Sequence, residues 1–394
     1  MCNEELAQAA IDFDAIAQKL QRATDFERNG KRPVVAVIGD YCLDKYLYLY
    51  PSLDEASVET GKTAFQVRAT RLFAGVGGTI ANNLCALGAE THCFGVIGND
   101  GEGFDLTNAL RKIGANVDGL VVSDKVLTSA YMKPMRPDPE TNPERVDDDG
   151  SPLPRPGEGA WVEGHRLDIR NPTPIASELV DELQKRFLEK VATFDAVVVS
   201  DQFPIGSEAL FSPAFRSFLS EVALANPRVF FLCDSRFFID SYRNMLVKCN
   251  ASEALDACDS ALDGKLRRET TLDRDSDADL DAILRAGRRI AQRNRRPVLV
   301  TRGAVGSLLF LTESDAPSAR VQAIAIPSNP VEPPIDVCGA GDASNAGLAF
   351  ARSLGLSLPD AAYLANVVSS ITIKRIGETG TASVPEILEI LQNK

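Results

Sequence analysis

The most informative part of the chain reads Ile335-Asp336-Val337-Cys338-Gly339-Ala340-Gly341-Asp342-Ala343-Ser344. A short apolar lead-in gives way there to a Gly-Ala-Gly-Asp turn, and a helix-like run follows to about Leu354. The two glycines allow a tight turn that brings backbone N–H groups near a ligand. The N-terminus of the following helix adds a partial positive charge. The stretch therefore predicts an anion hole suited to phosphate.

Asp342 stands beside this predicted anion hole, where its charge would repel a phosphate. We therefore interpret it as a general base that accepts the proton of an attacking hydroxyl. An anion hole with a base is the minimum needed to move a phosphoryl group onto an alcohol. The alternative is a tight strand-to-helix turn with an acidic N-cap, so the interpretation needs support from elsewhere in the chain.

Short apolar runs alternate with helical periodicity over most of the chain and predict buried parallel strands. Polar residues follow the runs at Val34–Ile38, Val197–Val199, Val229–Cys233, Met245–Cys249 and Val298–Val300. In open α/β sheets, ligands bind along the carboxyl edge of the strands. The predicted fold class is therefore α/β, with a doubly wound, mostly parallel sheet flanked by helices and a functional site along one edge.

The predicted organisation is one α/β body with two insertions. Residues 1–30 indicate an N-terminal helix, and residues 31–394 form the body. The segments 45–72 and 126–170 are rich in strand-forming residues and predict a small β-rich lid. Within the second segment, residues 137–164 are dense in Pro, Gly, Asp and Glu, which predicts an exposed loop.

Two turns next to the predicted lid have the composition of ligand-binding loops. Asp44 offers two acceptor oxygens for sugar hydroxyls, although a turn-stabilising role is an equally good interpretation of this residue alone. Gly77, Gly78 and Thr79 lie in a three-glycine turn at a helix start, which favours close approach of the backbone to a ligand. Plain turn chemistry is the alternative here.

The composition disfavours several classes of function. The formal net charge of −13 argues against nucleic acid or an anionic membrane as the main partner. The N-terminus lacks a signal pattern, and no apolar run approaches the roughly 20 residues of a membrane span. Eight scattered cysteines without a CxxC pair are typical of reduced thiols, so we expect a cytoplasmic protein. Only His92 and His165 are present, which disfavours a Ser-His-Asp hydrolase or a His-ligated zinc site.

Together these motifs resemble the ribokinase-like (PfkB) carbohydrate kinases over nearly the whole chain after residue 30. The specific signal is Asp336-x-x-Gly339-Ala340-Gly341-Asp342, supported by Asn250-x-x-Glu253 and by the turns at 39–44 and 75–78. Within the family the chain looks most like the heptose-7-phosphate kinase branch, on Gly39-Asp40-x-x-Leu43-Asp44-Lys45-Tyr46, Arg166-Leu167-Asp168, Ser200-Asp201, Asp234-Ser235-Arg236 and Gly377-Glu378-Thr379-Gly380-Thr381. Bifunctional members carry a nucleotidyltransferase domain after the kinase; this chain ends at Lys394, so we expect that activity to be absent.

The resemblance implies an ATP-dependent kinase that uses Mg²⁺, and also K⁺, and acts on a sugar or a sugar phosphate. It implies a catalytic group made of Asp342 as the base and the backbone of Gly339, Ala340 and Gly341. The implied acceptor-binding residues are Asp44, Gly77, Gly78, Thr79, Arg166 and Asp168, and the implied ATP-binding residues are Asn250, Thr301, Gly303 and Asn366. The implied ligands of Mg²⁺, mainly through water, are Glu253, Asp234 and Asp201, and that of the monovalent cation is Asp336. Lids of this family often pair, so we expect a homodimer through the lid.

Two departures from the family pattern bear on the acceptor. Thr79 stands where the family usually has Asn, and Cys338 replaces a small or hydroxyl residue before the glycine turn. Two alternatives stay open: a kinase for another alcohol, such as a nucleoside, 2-keto-3-deoxygluconate or a vitamin, and a non-catalytic sugar- or nucleotide-sensing relative. The presence of Asp342 and Glu253 argues against a sensor, because a sensor needs no base.

Overall fold

Hydrophobic strands that are buried on both faces form the centre of the protein. The computed structural model describes residues 6–24, 32–138, 161–171, 174–203, 210–258, 279–313, 320–377 and 379–394. In chain order the strands of these residues are Ala7–Gln8 (β1), Val34–Gly39 (β2), Tyr41–Leu49 (β3), Glu55–Ala56 (β4), Thr63–Ala64 (β5), Val67–Val76 (β6), Glu90–Gly98 (β7), Asn116–Ser123 (β8), Ala130–Pro137 (β9), Trp161–Glu163 (β10), Leu167–Ile169 (β11), Ala196–Asp201 (β12), Phe230–Ser235 (β13), Leu246–Asn250 (β14), Val298–Thr301 (β15), Ser307–Thr312 (β16) and Val321–Ile326 (β17).

The main sheet has the strand order β1-β17-β16-β15-β14-β13-β12-β2-β7-β8. Its strands are parallel except that β16 runs antiparallel to both β15 and β17. Strands such as β12 are buried at every residue, which explains their near-continuous apolar sequences. Because the parallel strands point the same way, their carboxyl ends meet along one edge, as the sequence predicts.

Helices cover both faces of this sheet. They are Phe13–Thr24 (α1), Gly77–Ala86 (α2), Gly101–Lys112 (α3), Ser177–Lys190 (α4), Pro213–Ala225 (α5), Ala251–Asp256 (α6), Leu280–Asn294 (α7), Ala340–Ser353 (α8), Leu358–Thr372 (α9) and Val384–Gln392 (α10). One apolar cluster joins α1, α2, α3, α8, α9 and α10 to the sheet, and a second joins α4, α5, α6 and α7 to its other face. The α/β class with a mostly parallel sheet is therefore confirmed.

A second, smaller sheet has the order β10-β9-β3-β6, with β11 paired to β9. It occupies the segments predicted to form the lid, and we refer to it by that name. Strand β3 pairs antiparallel with β6 and parallel with β9. The lid sheet begins at Tyr41 and reaches Val76, so it extends a few residues beyond the predicted 45–72 on either side. Most of the predicted loop at 137–164 lies outside the described residues.

Side chains alternate between the two faces of the lid sheet. We define the inner face by Cys42, Asp44 and Tyr46 of β3 with Tyr131 and Lys133 of β9. In the β3–β9 register, Asp44 lies beside Tyr131 and Tyr46 lies beside Lys133. The outer face carries the intervening residues. The inner face is the one that bears predicted acceptor-binding residues.

The N-terminal segment differs in detail from the predicted single helix. Residues 7–8 form β1, which pairs parallel with β17 at the edge of the main sheet. Helix α1 then occupies 13–24, and its Ile16 and Leu20 are fully buried in the same core as α9 and α10. The residues at 1–5 and 25–31 lie outside the described part of the chain. Among the described helices, none combines the length and apolar character needed to cross a membrane.

Candidate active site

The glycine turn at 339–342 is the first turn of α8, as the sequence predicts. Gly339 is the N-cap and adopts φ +77°, a left-handed conformation that glycine takes without strain. A Cβ at Gly339 would lie 3.2 Å from the Thr379 methyl group and 3.4 Å from that of Thr79, so the turn packs tightly against the start of α2. The structure thus brings together the two glycine-rich turns that are 260 residues apart in sequence (339 minus 79).

The backbone amides of this turn are partly free. Ala340 donates its N–H to the Val337 carbonyl at 3.1 Å, so it is not available to a ligand, and the prediction for this residue needs correction. Gly341 and Asp342 follow it in the first helical turn, where no intrahelical carbonyl can be reached. Their amides make no hydrogen bond within the part of the chain that the structure describes. These two N–H groups are therefore available to form the anion hole.

Asp342 is half-buried in the first turn of α8. Desolvation and the negative charge of Asp234 raise its pKa to about 7, while Lys248 and Arg236 oppose the shift. The charge of Asp44 on the lid raises the pKa of Asp342 by a smaller amount. A carboxyl group with a pKa near neutrality is well matched to accepting a proton at physiological pH.

A buried ion pair lies beneath the glycine turn. Lys248 of β14 places its Nζ 2.9 Å from the Asp234 Oδ2, and the Asn345 Nδ2 donates to the same oxygen at 2.6 Å. The Gln202 Nε2 donates to the Asp234 Oδ1 at 3.1 Å. The Lys248 Nζ is also the nearest atom to a Cβ built at Gly341, at 3.9 Å. The sequence analysis missed Lys248, although a lysine inside an apolar strand is itself a signal of a special role.

Asp40 fixes the loop that carries Gln202. Its Oδ2 accepts the backbone N–H groups of Gln202 and Phe203 at 2.8 and 2.9 Å. Burial and the charge of Asp201 raise the pKa of Asp40 to about 7, in spite of these two hydrogen bonds. The segment 39–44 therefore contributes two acids. Asp40 belongs to the contacts at the edge of the main sheet, and Asp44 belongs to the lid.

Asp201 does not join the other predicted magnesium ligands. Its Oδ2 accepts hydrogen bonds from Ser235 and Tyr242 at 2.8 and 2.9 Å, and Arg216 lies 3.2 Å away. The residue is 1% exposed. The geometry does not support a magnesium role for Asp201, because its charge is neutralised by Arg216 within the core. It stabilises the contact between β12, β13 and α5 instead.

Asn250 and Glu253 form a reciprocal capping box at the start of α6. The Glu253 N–H donates to the Asn250 Oδ1, and the Asn250 N–H donates to the Glu253 Oε2, both at 2.8 Å. In their contacts with each other, these two residues therefore act as a helix cap. Burial and the charge of Asp234 raise the pKa of Glu253. Its Oε1 has no partner among the described residues and remains available.

The predicted nucleotide residues share the carboxyl edge of the main sheet. Asn250 is opposite Thr301, and Thr301 is opposite Ser307, across β14, β15 and β16. Gly303 begins the short turn between β15 and β16. The Asn366 Nδ2 donates to the Ser307 Oγ at 3.2 Å and to the Pro327 carbonyl at 2.9 Å. Asn366 thus holds α9 to this edge, and its amide is already engaged by the protein.

Asp44 lies on the inner face of the lid next to Lys133. The two side chains form an ion pair with 3.1 Å between the Lys133 Nζ and the Asp44 Oδ1. Gly75 of β6 lies opposite Cys42, diagonal to Asp44, and leaves room for the acid, since a Cβ there would be 2.4 Å from the Asp44 Oδ2. The charges of Lys133, Asp44 and Asp342 all act on the Cys338 thiol, whose pKa is raised chiefly by desolvation. The inner face therefore lies over the glycine turn.

Arg166 and Asp168 lie at the border of this inner face. The Arg166 Nε and Nη2 donate to the two oxygens of Asp168 at 2.6 and 2.9 Å, and Arg170 reaches Asp168 at 3.2 Å. The Arg166 guanidinium stacks over the Tyr131 ring at 4.5 Å from its centroid. Tyr131 is in turn beside Asp44 in the sheet register. Across the sheet, Tyr131 therefore separates Asp168 from Asp44, the predicted sugar-binding acid. Arg166 and Arg170 contact Asp168 at this position.

Asp336 joins the glycine turn to the segment after α9. Its N–H donates to the Ile373 carbonyl at 2.8 Å, and its two carboxylate oxygens accept the N–H groups of Cys338 and Gly377 at 3.0 Å each. Each oxygen keeps a second lone pair, so the contacts are compatible with a bound cation. No group of three His, Cys, Asp or Glu side chains that could hold a metal is found in the described ranges.

The family assignment follows from a match over the second half of this framework. The pattern of the pfkB family carbohydrate kinases matches residues 166–385, which is more than half of the chain. The chain belongs to the pfkB family of carbohydrate kinases. The predicted family and the ribokinase-like fold are therefore confirmed.

The curated relatives that this chain matches are longer than the chain itself. It is 26% identical to the bifunctional protein HldE of Sulfurimonas denitrificans over 91% of this chain and 64% of the relative. For the bifunctional protein HldE of Caulobacter vibrioides the identity is 27%, over 87% of this chain and 60% of the relative. The chain thus spans less than two thirds of the length of these curated relatives.

Two solved structures show the same fold at low identity. The ribokinase of Arabidopsis thaliana, complexed with ribose and ATP, aligns with a TM-score of 0.59 and 17% identity, over 91% of this chain and 99% of that one. Phosphofructokinase-2 of Escherichia coli aligns with a TM-score of 0.59 and 16% identity, over 92% of this chain and 99% of that one. At such identities the likeness concerns the fold.

Proposed function

We propose that the protein is an ATP-dependent kinase that transfers the γ-phosphoryl group to a hydroxyl of a sugar or a sugar phosphate. The observation that carries this proposal is the placement of Asp342. A carboxyl group with a near-neutral pKa stands below the inner face of the lid, in the same helical turn as two N–H groups that make no hydrogen bond to any described residue. Membership of a carbohydrate kinase family supports the proposal.

In the proposed step, the Asp342 carboxylate accepts the proton of the acceptor hydroxyl as its oxygen attacks the γ-phosphorus. The new O–P bond forms while the bond between the γ-phosphorus and the bridging oxygen breaks, and ADP leaves with that electron pair. The N–H groups of Gly341 and Asp342, with the Lys248 ammonium beneath them, stabilise the negative charge on the transferred group. Closure of the lid over the turn would exclude water from the reaction.

The residues at the carboxyl edge would bind the nucleotide. Thr301 lies beside Asn250 in the strand register, and the turn that begins at Gly303 follows it in the chain. Asn366 would act by holding α9 against this edge, because its amide already bonds Ser307 and Pro327.

Magnesium fits this edge as a water-bridged ion. Glu253 with its free Oε1, and Asp234 through water, would hold it, which is the usual mode for Mg²⁺ bound to substrate phosphates. When bound, the ion would offset the charge on the phosphates. Asp336 would hold the monovalent cation K⁺ and so order the turn that begins at Cys338. We also propose a cytoplasmic location.

The lid would supply the acceptor site. Asp44 would accept hydrogen bonds from the acceptor, and the backbone at Gly77, Gly78 and Thr79 would lie beside it. Arg166, oriented by Asp168, would bind a distal phosphate of a sugar phosphate. Because the chain resembles heptose-7-phosphate kinases and is similar to the HldE proteins, a heptose phosphate is the first acceptor to examine.

A panel of acceptors tests the proposal. ADP release would be measured with ATP and Mg²⁺ against sugars, sugar phosphates and nucleosides, with heptose 7-phosphate included. We expect one sugar or sugar phosphate to stimulate ADP release far above the rate with water alone. Binding of ATP and sugar without ADP release, or preference for a nucleoside, would contradict the proposal.

A further inference from the structure

Lys133 is a cation on the inner face of the lid that the proposed chemistry does not use. It is 9% exposed, which is unusual for a lysine. Its Nζ lies 3.1 Å from the Asp44 Oδ1 and 3.2 Å from the Tyr46 hydroxyl, and 4.7 Å from the centroid of the Tyr46 ring. A lysine at such a position needs an explanation, because its burial carries a desolvation cost.

The charge of Lys133 is retained in spite of this burial. Desolvation lowers the pKa of Lys133, but Asp44 and Tyr46 raise it by more, so the net shift is upward and the side chain is a permanent ammonium group. An ammonium has three N–H donors. Asp44 and Tyr46 use two of them, and no third partner occurs within the described residues. One N–H is therefore left on a surface that faces the glycine turn.

Asp44 has a free hydrogen-bond acceptor that complements the free N–H of Lys133. Its Oδ1 faces Lys133, whereas its Oδ2 has no partner in the described part of the chain and lies in the space that Gly75 leaves open. The pair thus presents one free acceptor and one free donor side by side. Two neighbouring hydroxyl groups of a sugar offer the matching set, since one can donate to the carboxylate while the other accepts from the ammonium.

We propose that Lys133 is a specificity-determining residue which, together with Asp44, binds a pair of adjacent hydroxyl groups on the acceptor. The inference rests on the proposed function, because it assumes that the acceptor enters between the lid and the glycine turn. It narrows the acceptor to a vicinal diol. A simple alcohol, or a sugar without one of the two hydroxyls, leaves the spare N–H of Lys133 or the Oδ2 of Asp44 without a hydrogen-bond partner and is rejected.

Calorimetric binding tests this inference without turnover. Ribose 5-phosphate and 2-deoxyribose 5-phosphate, whose furanose ring has no two adjacent hydroxyls, would be titrated into the protein saturated with a non-hydrolysable ATP analogue. Lys133→Met removes the donor, and we expect it to weaken binding of the diol by about 10- to 100-fold. It should leave binding of the deoxy sugar and of the ATP analogue unchanged. Lys133→Arg keeps the charge and the fold, and should retain part of the preference.

Lys45→Met is the matched control. Lys45 is on the same strand as Asp44 but on the outer face, and its ammonium pairs with Glu102 at 3.7 Å. We expect this variant to keep the preference for the diol. Thermal unfolding of each variant shows whether Lys133→Met is folded, and Lys133→Arg gives the same comparison if it is not.

Each outcome has a defined meaning. If Lys133→Met loses affinity for both sugars equally, Lys133 has only a structural role in the ion pair and the inference is overturned. Unchanged affinity for both sugars would overturn it as well. If the wild type binds the diol selectively but releases no ADP, the inference stands and the kinase proposal fails. If the wild type transfers phosphate but Lys133→Met keeps its selectivity, the kinase proposal stands and the inference fails. Absence of binding of any diol in the acceptor panel would overturn both.

Discussion

Lys248 and Asp234 act in opposite directions on the same carboxyl group. Asp234 raises the pKa of Asp342 and Lys248 lowers it, so the two variants Lys248→Met and Asp234→Asn should move the pH profile in opposite ways. The base must be ionised to accept a proton, so kcat/KM should fall about tenfold per pH unit below a midpoint near 7. We predict that Lys248→Met moves this acidic limb to higher pH and that Asp234→Asn moves it to lower pH, as measured in a pH series of kcat/KM.

Lys112→Met provides the comparison for the pH experiment. Lys112 lies in the last turn of α3, remote from α8, and its removal should leave the midpoint in place. The loss of Lys248 leaves Asp234 as a buried acid without its partner, which costs stability by about 3–5 kcal/mol. The midpoint pH of the acidic limb of kcat/KM nevertheless does not depend on the amount of folded protein. A midpoint that stays fixed in both site variants would mean that Asp342 is not the titrating group.

Arg166 makes a separate prediction about the acceptor. If its guanidinium binds a distal phosphate, Arg166→Ala should raise KM for a sugar phosphate by about 10- to 100-fold and leave KM for the free sugar unchanged. Steady-state kinetics with a phosphorylated and a free form of the same sugar make this comparison. Equal KM changes for the two sugars would exclude the phosphate role, and Arg68→Ala on the lid strand β6 serves as a control.

At the scale of residues, the sequence identified the acids better than their partners. Asp342, Glu253 and Asp234 were predicted because they follow apolar strands or a glycine turn. Lys248 and Lys133 were missed because each lies within a strand, where only the three-dimensional pairing with an acid reveals its use. Asp201 shows the same limit, since its position after a strand does not reveal that Arg216 neutralises it.

The turn between β6 and α2 contains a strained residue. Val76 adopts φ 58° and ψ −114°, a conformation that a β-branched residue rarely takes. Glycine adopts such a conformation without strain, whereas alanine does not. We therefore predict that Val76→Gly is more stable than Val76→Ala by about 1–2 kcal/mol, which reverses the usual order of these two residues. Urea unfolding of the two variants measures the difference.

Val122 supplies the matched pair for this prediction. It is exposed on β8 and has no positive φ, so Val122→Gly should be less stable than Val122→Ala. If alanine is also the better residue at Val76, the turn has relaxed and the strain is not a property of the protein in solution. Because the turn carries Gly77 and Gly78, strain there would fix the approach of α2 to the glycine turn of α8.

Among the helices and strands, the sequence predicts the buried strands of the main sheet but not the structure of the N-terminal segment. The buried strands β2, β12 and β13 occur where apolar runs predict them, because strands buried on both faces leave a continuous apolar signal. The N-terminal region was predicted as one helix, but Ala7–Gln8 extends the sheet, since a two-residue strand leaves no periodic signal. Its pairing with β17 is a tertiary property.

The outer face of the lid bears exposed apolar side chains. Phe65, Val162 and Leu167 are 53%, 50% and 61% exposed. Val162 pairs with Arg136, whose guanidinium lies 5.0 Å over the Phe65 ring, and Leu167 pairs with Met132, so all three share the face opposite Lys133. Exposed apolar surface of this kind is typical of an interaction site.

We predict that this face forms a homodimer. Sedimentation equilibrium of the wild type should give twice the 42.5 kDa of one chain, and Val162→Asp with Leu167→Asp should shift it to the monomer. The two aspartates would place charges in an apolar contact, which should weaken the dimer. An exposed apolar residue of the body, changed in Leu224→Asp, should leave the mass unchanged. A wild-type monomer at micromolar concentration would contradict the proposed dimer.

At the scale of the whole molecule, the order of motifs along the chain predicted the architecture. Acids and glycines recur after successive strands, and parallel strands gather their carboxyl ends at one edge, so the sequence places these groups together even though hundreds of residues separate them. The inner face of the lid could not be predicted in this way. It depends on the register of β3 against β9, which places Lys133 beside Tyr46 and Tyr131 beside Asp44.

Replacement of Asp342 tests directly whether its carboxylate is the catalytic base. Asp342→Asn keeps the size of the side chain and the N–H groups of the turn but removes the base. We predict that kcat falls by about 10²–10⁴ on the true acceptor while the affinity for a non-hydrolysable ATP analogue is nearly unchanged, with Asp14→Asn on α1 as the control. An Asp342→Asn enzyme that keeps full activity would contradict the assignment of the base.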